Sequence, residues 1–267
     1  MVGANTRTSR AKVRESLALD VAEARARLGE KRFWLIKQWV EDVNGAYEAA
    51  IAPHVDEHTV LLDAGCSRGD PDIPSVLRAG FSVGCDMDLA GLRGNMLTMA
   101  KAMSPLERMP FQDGAFDVIV CKFVVEHLGD PLGTFEEFAR VLRPGGVVAF
   151  LTPNAHSVFA LTSRLVPLRL KQMFKARLFG GYEEDTFPTQ YLANTPGRLD
   201  GLMRQAGFDT LSLDLLSGMW IFFIFSRTLA LSVRFIERLQ LRTPGLRNLS
   251  MYLMGVWQKP ETAAAGR

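Results

Sequence analysis

The feature that most constrains the fold is a regular alternation of short apolar runs with helix-like segments. The apolar runs are Val60–Leu62, Phe81–Cys85, Phe116–Val120 and Val147–Leu151. Helix-like segments lie between them, at about 72–79, 88–95 and 133–142. Short continuous apolar runs are typical of strands buried on both faces, and their alternation with helices is typical of a parallel sheet covered on both sides. The sequence therefore predicts a doubly wound α/β fold.

Further segments flank this central region. Residues 13–52 carry apolar side chains at helical spacing, which predicts an N-terminal helical cap over 1–55. Arg143–Gly146 is predicted to stop a helix and turn into the next strand, because proline lacks a donor and glycine accepts unusual backbone angles. Beyond it, a helix is predicted at Leu199–Ala206 and strands at Leu211–Leu216 and Met251–Trp257. The predicted organisation is the cap, a main domain over 56–260 and a disordered tail over 261–267.

Composition excludes several classes of protein. The 267 residues are 48% hydrophobic, and 31 Lys and Arg nearly balance 29 Asp and Glu, which argues against disorder and against a general nucleic-acid-binding surface. Cys66, Cys85 and Cys121 are odd in number and form no Cys-x-x-Cys pair, so neither a disulfide framework nor a zinc site is predicted. No signal peptide is recognised, and the apolar stretch Leu211–Val233 is interrupted by charges. A cytoplasmic location is predicted.

A glycine-bearing turn follows the first predicted strand. Asp63 lies near the end of that strand, and Gly65 and Gly69 let the backbone approach a ligand closely. Asp86 ends the next strand, where a carboxylate is able to accept both hydroxyls of a ribose. Nucleotide ligands bind at this carboxyl edge of a parallel sheet. The two strand ends together predict a nucleoside site.

A dinucleotide site is disfavoured by the same turn. The Gly-x-Gly-x-x-Gly fingerprint needs glycine at positions 65, 67 and 70, and the chain has Gly65, Ser67 and Asp70. Asp70 is predicted to stand at the start of the following helix, where it would repel a pyrophosphate. A cationic nucleoside without phosphate suits the site better, which disfavours a nicotinamide-dependent oxidoreductase.

Five segments in order resemble the class I S-adenosylmethionine-dependent methyltransferases, particularly the branch of ubiquinone- and menaquinone-biosynthesis enzymes. The similar segments are Val60–Gly69, Val83–Asp86, Leu106–Asp117, Val124–Leu128 and Arg140–Gly146, followed by Thr152–Asn154. The resemblance implies a mostly parallel seven-stranded sheet and S-adenosyl-L-methionine as cofactor. The cofactor-binding residues that it implies are Asp63, Gly65, Cys66, Ser67, Gly69, Asp86, Met87, Leu106, Glu107 and Lys122.

Three positions depart from the pattern of that family. Ser67 replaces a glycine, which is tolerable if its backbone angles are ordinary. Pro105 stands where an aspartate usually accepts the adenine amino group, so that contact must come from Glu107, a carbonyl or water. Phe123 replaces an acid of the metal-linked Glu-x-x-Glu-His of the quinone-pathway O-methyltransferases. No metal site is therefore predicted.

Two histidines lie at the predicted ligand-binding edge. His127 follows the apolar run Phe116–Val120 and His156 follows the next predicted strand, and each is a candidate catalytic base. Simple packing or local hydrogen bonding is the favoured interpretation of each. The activity that the resemblance implies is methyl transfer to a small, lipophilic or aromatic acceptor, most often on oxygen, with no nucleic acid as partner.

Two stretches, 156–190 and 217–247, are predicted to be acceptor-side insertions. The first holds basic residues over 164–177, and the second contains the apolar run Met219–Phe225. In one interpretation the apolar run covers an acceptor pocket, and the basic residues bind an anionic group or a membrane surface. In the other, the apolar run is part of the hydrophobic core. If it lines a pocket, Trp220→Ser or Phe223→Ser should impair acceptor use but not cofactor binding.

Another class of function remains open. A catalytically silent scaffold of the same fold would use its apolar insertion to bind a partner or a membrane, and Ser67 and Pro105 favour that alternative. The sequence leaves the acceptor, the methylated atom and the oligomeric state undetermined.

Overall fold

Seven strands form one open sheet in the described part of the chain. The computed structural model describes residues 25–26, 29–163 and 189–261. The strands are β1 Val60–Ala64, β2 Phe81–Asp86, β3 Ala100–Met103, β4 Phe116–Lys122, β5 Leu142–Pro153, β6 Asp209–Leu216 and β7 Tyr252–Gln258. Their order across the described sheet is β3-β2-β1-β4-β5-β7-β6, and β7 runs in the direction opposite to the other six strands. The predicted doubly wound, mostly parallel sheet is confirmed.

Helices connect the strands. They are α1 Glu30–Ile51, α2 Pro74–Arg78, α3 Leu89–Gly94, α4 Pro131–Val141, α5 Val158–Ser163, α6 Pro196–Gln205 and α7 Arg227–Arg242. The strand order reverses between β1 and β4, which pair directly. Ligands of open α/β sheets bind outside the carboxyl ends of the strands at such a reversal. The fold therefore places a binding crevice beside the ends of β1, β2 and β4.

The predicted N-terminal cap contributes to the main core. Val43, Tyr47 and Ile51 of α1 are fully buried against one face of the sheet. The Tyr47 hydroxyl donates to the carbonyl oxygen of Ala149 at 2.8 Å and accepts from the amide of Cys121 at 3.0 Å. One side chain of α1 thus bridges β4 and β5. Residues 1–24 and 27–28 of the predicted cap lie outside the described residues.

Two details of the sheet differ from the sequence prediction. β3 has no apolar run, because it is a short edge strand whose side chains alternate between half-buried and exposed. Arg143–Gly146 was predicted to separate a helix from a strand, but it lies within β5. The pairing there shifts between Phe116↔Leu142 and Val118↔Val147, and Gly145 has a φ of +79°. The helix does end here, at Val141, and a strand follows as predicted, but the glycine allows the strand to bulge and continue where a turn was expected.

The stretch 217–247 forms a small apolar unit beside α1. It contains the 3₁₀ helix Met219–Phe223 and α7, and a second 3₁₀ helix follows at Leu246–Leu249. Trp220 is fully buried in a cluster with Leu35, Ile221, Ile224 and Ala230. The Glu237 carboxylate accepts from the amides of Gly218, Met219 and Trp220, at 3.0, 2.9 and 3.2 Å. For Trp220 the structure supports core packing over pocket lining.

Most of two predicted segments lies outside the described residues. Residues 164–188, which carry the basic part of the predicted 156–190 insertion, and 262–267, nearly all of the predicted tail, are outside the described residues. In the part that is described, no helix combines the length and apolarity needed to cross a bilayer.

Candidate functional site

The glycine turn after β1 folds tightly against its neighbours. Gly65 has a φ of +74°, and a Cβ there would overlap the Cγ2 atom of Val124. Gly69 has a φ of +86°, and a Cβ there would lie 2.9 Å from the Asn95 Oδ1 atom. Both backbone angles favour glycine, and both approaches leave no room for a side chain. The structure therefore explains why these two positions hold glycine.

Ser67 has a backbone conformation that is unusual for its residue type. Its φ is +38°, so the expectation of ordinary backbone angles is wrong. A non-glycine residue with such a φ is strained, at a cost of roughly 1–3 kcal/mol. The Ser67 amide donates to Asp86 Oδ2 at 2.7 Å, and its carbonyl oxygen accepts from Asn95 Nδ2 at 3.3 Å. These bonds hold the turn beside the end of β2.

Asp86 links the turn to the start of α3. Its Oδ2 atom accepts from Ser67 and its Oδ1 atom accepts from the amide of Asp88 at 2.8 Å. The side chain is half-buried, and each carboxylate oxygen retains a further lone pair. Exposed methionines flank it, since Met87 follows directly and Met103 ends β3. The arrangement suits a ribose held by Asp86 with an apolar ring beside the methionines.

Asp63 is the most perturbed acid of the site. Its side chain is 5% exposed, and its Oδ2 atom is buried without a hydrogen-bond partner. Burial raises the pKa of Asp63 to about 7, and the nearby charges of Asp70 and Asp86 add to the rise while Lys122 opposes it. A buried carboxylate with an unused oxygen is ready to receive a cation.

Asp70 does not stand at a helix start, contrary to the sequence prediction. The helix begins at Pro74, after Ile73, and no side chain caps it. The Asp70 carboxylate instead accepts from the amide of Asp72 at 2.8 Å and forms an ion pair with Lys122. The prediction failed because the turn runs four residues longer than the glycine pattern indicated. Lys122 is almost fully buried and is paired with Asp70.

The charge of the site selects the kind of ligand that it suits. The charges of Asp70 and Asp86 act on Asp63 and raise its pKa, and the charge of Lys122 lowers it. Acidic surroundings favour a cationic ligand and disfavour a pyrophosphate. S-Adenosylmethionine carries an ammonium group and a sulfonium centre, so it meets the requirement of the unused Asp63 oxygen. The residues present therefore fit this cofactor.

The remaining predicted cofactor residues have unequal exposure. Glu107 is exposed, whereas Leu106 is 8% exposed and belongs to the main core. Cys66 is buried behind the turn, with its Sγ atom 2.6 Å from the position that a Cβ of Gly84 would take. Burial raises the pKa of the Cys66 thiol. Cys66 is thus an inert packing group at the back of the site.

The two candidate bases lie in different surroundings. His127 ends a short 3₁₀ helix, Val125–His127, just beyond β4, and its side chain is half-buried. His156 is exposed after β5, and its amide donates to Asn154 Oδ1 at 3.0 Å. The half-buried histidine is better placed for proton transfer in a site from which water is excluded.

A buried polar network, centred on Glu126, was missed by sequence reasoning. Its Oε2 atom accepts from the Thr152 hydroxyl at 2.8 Å, and Asn194 Nδ2 donates to Thr152 Oγ1 at 2.6 Å. The Glu126 carbonyl oxygen accepts from the amides of Gln190 and Tyr191, at 2.7 and 3.2 Å. Burial raises the pKa of Glu126, and the neighbouring His127 charge opposes that rise. No sequence spacing signals this network, because its members are far apart in the chain.

Aromatic side chains gather at the carboxyl edge near β4 and β5. Phe123 directly follows β4, has a φ of +57°, and has its ring centre 5.6 Å from that of Tyr252, which lies 6.1 Å from the ring centre of Trp39. Phe159 and Phe222 stack with ring centroids 4.5 Å apart and planes 3° apart. These rings come from five separate segments, so only the fold assembles them. Tyr252 is buried, Phe123, Trp39 and Phe222 are half-buried, and Phe159 is exposed.

Candidate metal ligands do not converge in the described ranges. Within residues 25–26, 29–163 and 189–261, no group of three or more His, Cys, Asp or Glu side chains is arranged to hold a metal ion. Phe123 occupies the position at which the metal-linked motif of the quinone-pathway O-methyltransferases has an acid, and its ring packs on Tyr252.

Comparisons with known proteins agree with this geometry. The model of the methyltransferase domain family matches residues 62–150. A demethylmenaquinone methyltransferase of Mycobacterium sp. (strain JLS) is 26% identical over 153 residues, which are 56% of this chain and 62% of that protein. A ubiquinone biosynthesis O-methyltransferase of Albidiferax ferrireducens is 34% identical over 104 residues, 35% of this chain and 41% of that protein. The matched parts thus span about 40–60% of these relatives' lengths.

A solved structure shares the fold. The geranyl diphosphate C-methyltransferase of Streptomyces coelicolor A3(2), in complex with Mg²⁺, geranyl diphosphate and S-adenosyl-L-homocysteine, aligns with a TM-score of 0.53 and 16% identity. The alignment covers 80% of this chain and 79% of that one. Residues 62–150 therefore match the methyltransferase domain family, and the described sheet shares the fold of this methyltransferase.

Proposed function

We propose that this protein transfers a methyl group from S-adenosylmethionine to an oxygen of a small lipophilic acceptor. The observation that carries the proposal is the buried Asp63 oxygen without a partner, beside the glycine turn and Asp86. The cofactor supplies a methyl group already activated by the sulfonium. Asp63 receives the ammonium group, Gly65 to Gly69 border the methionine part, and Asp86 holds the ribose hydroxyls.

Lys122 has a positioning role in this proposal. Its ammonium is buried, pairs with Asp70 and lies 5.4 Å from the centre of the Phe123 ring. This ion pair connects the end of β4 to the turn after β1. It therefore keeps these two parts of the site at a fixed distance from each other. Such alignment matters because a displacement reaction requires acceptor, carbon and sulfur in line.

The aromatic side chains define the acceptor class. Phe123 and Trp39 are half-buried against the buried ring of Tyr252, and Phe159, which is exposed, stacks on Phe222. Flat apolar molecules pack well on aromatic rings. The relatives named for menaquinone and ubiquinone biosynthesis support an acceptor that combines a ring with an apolar tail.

Oxygen methylation needs an acceptor for one proton. The new bond joins the acceptor oxygen to the methyl carbon, the carbon–sulfur bond breaks, and the hydroxyl proton leaves. His127 takes this proton, because it is half-buried just beyond β4 and lies next to the buried Glu126.

A single comparison tests the proposal. The purified chain is incubated with S-adenosylmethionine and either catechol or a long-chain alkylcatechol, and S-adenosylhomocysteine formation is measured. Methylation of the alkylcatechol on oxygen, located by mass spectrometry, is the expected product. His127→Asn should reduce turnover with little loss of cofactor affinity, whereas Asp86→Ala should remove both. Methylation on carbon would support methyl transfer but would reject oxygen as the methylated atom.

A catalytically silent scaffold is the second candidate. The strained Ser67 at φ +38°, where the family has glycine, favours it. Titration calorimetry separates the two candidates, since a scaffold would bind neither S-adenosylmethionine nor S-adenosylhomocysteine, and Asp86→Ala would then change nothing.

A further inference from the structure

α7 presents large apolar side chains to solvent. Its inner side, including Ala230 and Glu237, is buried beside the 3₁₀ helix Met219–Phe223. On the outer side, Phe235, Ile236 and Leu239 are 63%, 60% and 48% exposed. Positions 232, 235, 236 and 239 of a helix share one face, so these three side chains form one surface. Contiguous exposed apolar patches of this kind mark interaction sites.

Neighbouring residues enlarge this surface, here called the α7 patch. Phe225 precedes α7 and Leu246 follows it, and both are exposed, as is Leu229 in its first turn. A cavity of about 680 Å³ opens on the same side, lined among the described residues by Arg227, Thr228, Leu231, Ser232, Phe235 and Ile236. The lining combines three apolar side chains with one arginine.

The charge around the α7 patch has one sign. Residues 218–251 contain five arginines and one acid, Glu237. Glu237 is buried and bonded to three backbone amides, and Arg234 is paired with Asp42 at 2.6 Å. The other arginines, at positions 227, 238, 242 and 247, are exposed. The surface that surrounds the apolar side chains is therefore cationic.

We propose that the α7 patch docks onto the surface of an anionic phospholipid bilayer. The helix lies in the plane of the interface, with Phe235, Ile236 and Leu239 in the acyl boundary and the arginines on lipid phosphates. Amphipathic helices with basic and apolar sides bind membranes in this way, and each arginine near an anionic surface strengthens the attraction. The proposal is independent of methyl transfer, because none of these residues belongs to the cofactor site.

The charge argues against a second copy of the chain as the occupant. An isologous dimer pairs a surface with itself, so it would bring the arginines of both copies together without an exposed acid on this segment to compensate. Lipid phosphates supply the missing negative charge.

Vesicle flotation of the full chain tests the docking. Vesicles of phosphatidylcholine mixed with phosphatidylglycerol should carry the protein upward, and vesicles of phosphatidylcholine alone should carry far less. The double variant Phe235→Ser/Ile236→Ser should lower the partition coefficient at least about tenfold, since two large apolar groups leave the interface. Arg238→Gln/Arg242→Gln should lower it about tenfold in low salt and weaken its salt dependence.

Matched controls lie elsewhere on the surface. Leu211→Ser removes a similarly exposed leucine from β6, and Arg198→Gln removes an exposed arginine from α6. Both controls should bind vesicles as the wild type does. No flotation with anionic vesicles, or equal flotation of the α7 variants and the wild type with unchanged melting curves, would overturn the proposal. So would sedimentation showing a dimer that Phe235→Ser/Ile236→Ser dissociates, because a second copy would then cover the patch.

Discussion

Replacing Asp63 by asparagine should make the ligand-free protein more stable at alkaline pH. Because the pKa of Asp63 rises to about 7 from an ordinary value of 3.8, the folded state favours the protonated form. The stability that the protonated group contributes is complete below pH 3.8 and is lost as the pH rises through 7. Linkage gives an ionisation penalty of roughly 1.7 kcal/mol at pH 5 and roughly 4 kcal/mol at pH 8. Asparagine has the same shape and never ionises.

The difference between the two proteins is the measurable quantity. The free energy of unfolding of Asp63→Asn relative to wild type should increase by about 2.5 kcal/mol between pH 5 and pH 8, as measured by urea denaturation. Asp209→Asn, which removes an exposed carboxylate from β6, is the control and should show little change with pH. If the stability difference between Asp63→Asn and wild type stayed constant from pH 5 to pH 8, the pKa of Asp63 would not be raised and the reasoning would be refuted.

The same residue should couple cofactor binding to proton release. When an ammonium group pairs with Asp63, the pKa of that carboxyl falls, so S-adenosylhomocysteine binding at pH 7 should release about half a proton. Calorimetry in buffers of different ionisation enthalpy measures this number. Asp63→Asn should bind S-adenosylhomocysteine more weakly and release none. Equal proton release by both proteins would show that the cation does not meet Asp63.

Four further changes follow from the contacts of the site and core. Gly65→Ala should weaken S-adenosylhomocysteine binding at least about thirtyfold, because the left-handed backbone alone costs roughly 1–2 kcal/mol and the new Cβ overlaps Val124; Val124→Ala should restore part of the loss, and strict additivity would contradict the overlap. Asp86→Asn should weaken binding about tenfold in calorimetry, since one backbone amide loses its acceptor. Trp220→Ala should lower the free energy of unfolding by about 3–5 kcal/mol and impair cofactor binding and turnover together, against the selective acceptor effect that pocket lining would give. Tyr47→Phe should cost about 1–3 kcal/mol in urea denaturation, and an unchanged midpoint would mean that water replaces the hydroxyl.

The central sheet and the cofactor edge could be predicted because their signals are local. β1 and β2 are largely apolar runs that the sequence makes visible. Gly65, Gly69 and Asp86 follow or end these strands, so predicting the strands also predicts the sheet edge at which the three residues lie. β3 carries no such signal, since a short edge strand has neither an apolar run nor a buried face on both sides. The sequence therefore did not indicate that Met103, at the end of β3, lies beside Asp86, and only the pairing of β2 with β3 shows it.

Long-range assembly accounts for what the sequence could not provide. Asp70 was misplaced because the length of the turn depends on where Pro74 allows a helix to begin, and its pairing with Lys122 joins residues on different strands. Trp220 looks the same in sequence whether it lines a pocket or fills a core. Only the packing of α1 against the stretch that follows β6 decides between them.

The polar network around Glu126 joins the end of β5 to the segment that precedes α6. The Ala155 amide donates to the Asn194 carbonyl oxygen at 2.7 Å, and the Asn194 side chain donates to the Pro153 carbonyl oxygen at 3.2 Å. Gln190 and Tyr191 add to this connection, because their amides donate to the Glu126 carbonyl oxygen. Two parts of the chain that are distant in sequence are thus held together by their own hydrogen bonds. A substitution at Asn194 would therefore disturb the end of β5 and the approach to α6 at once.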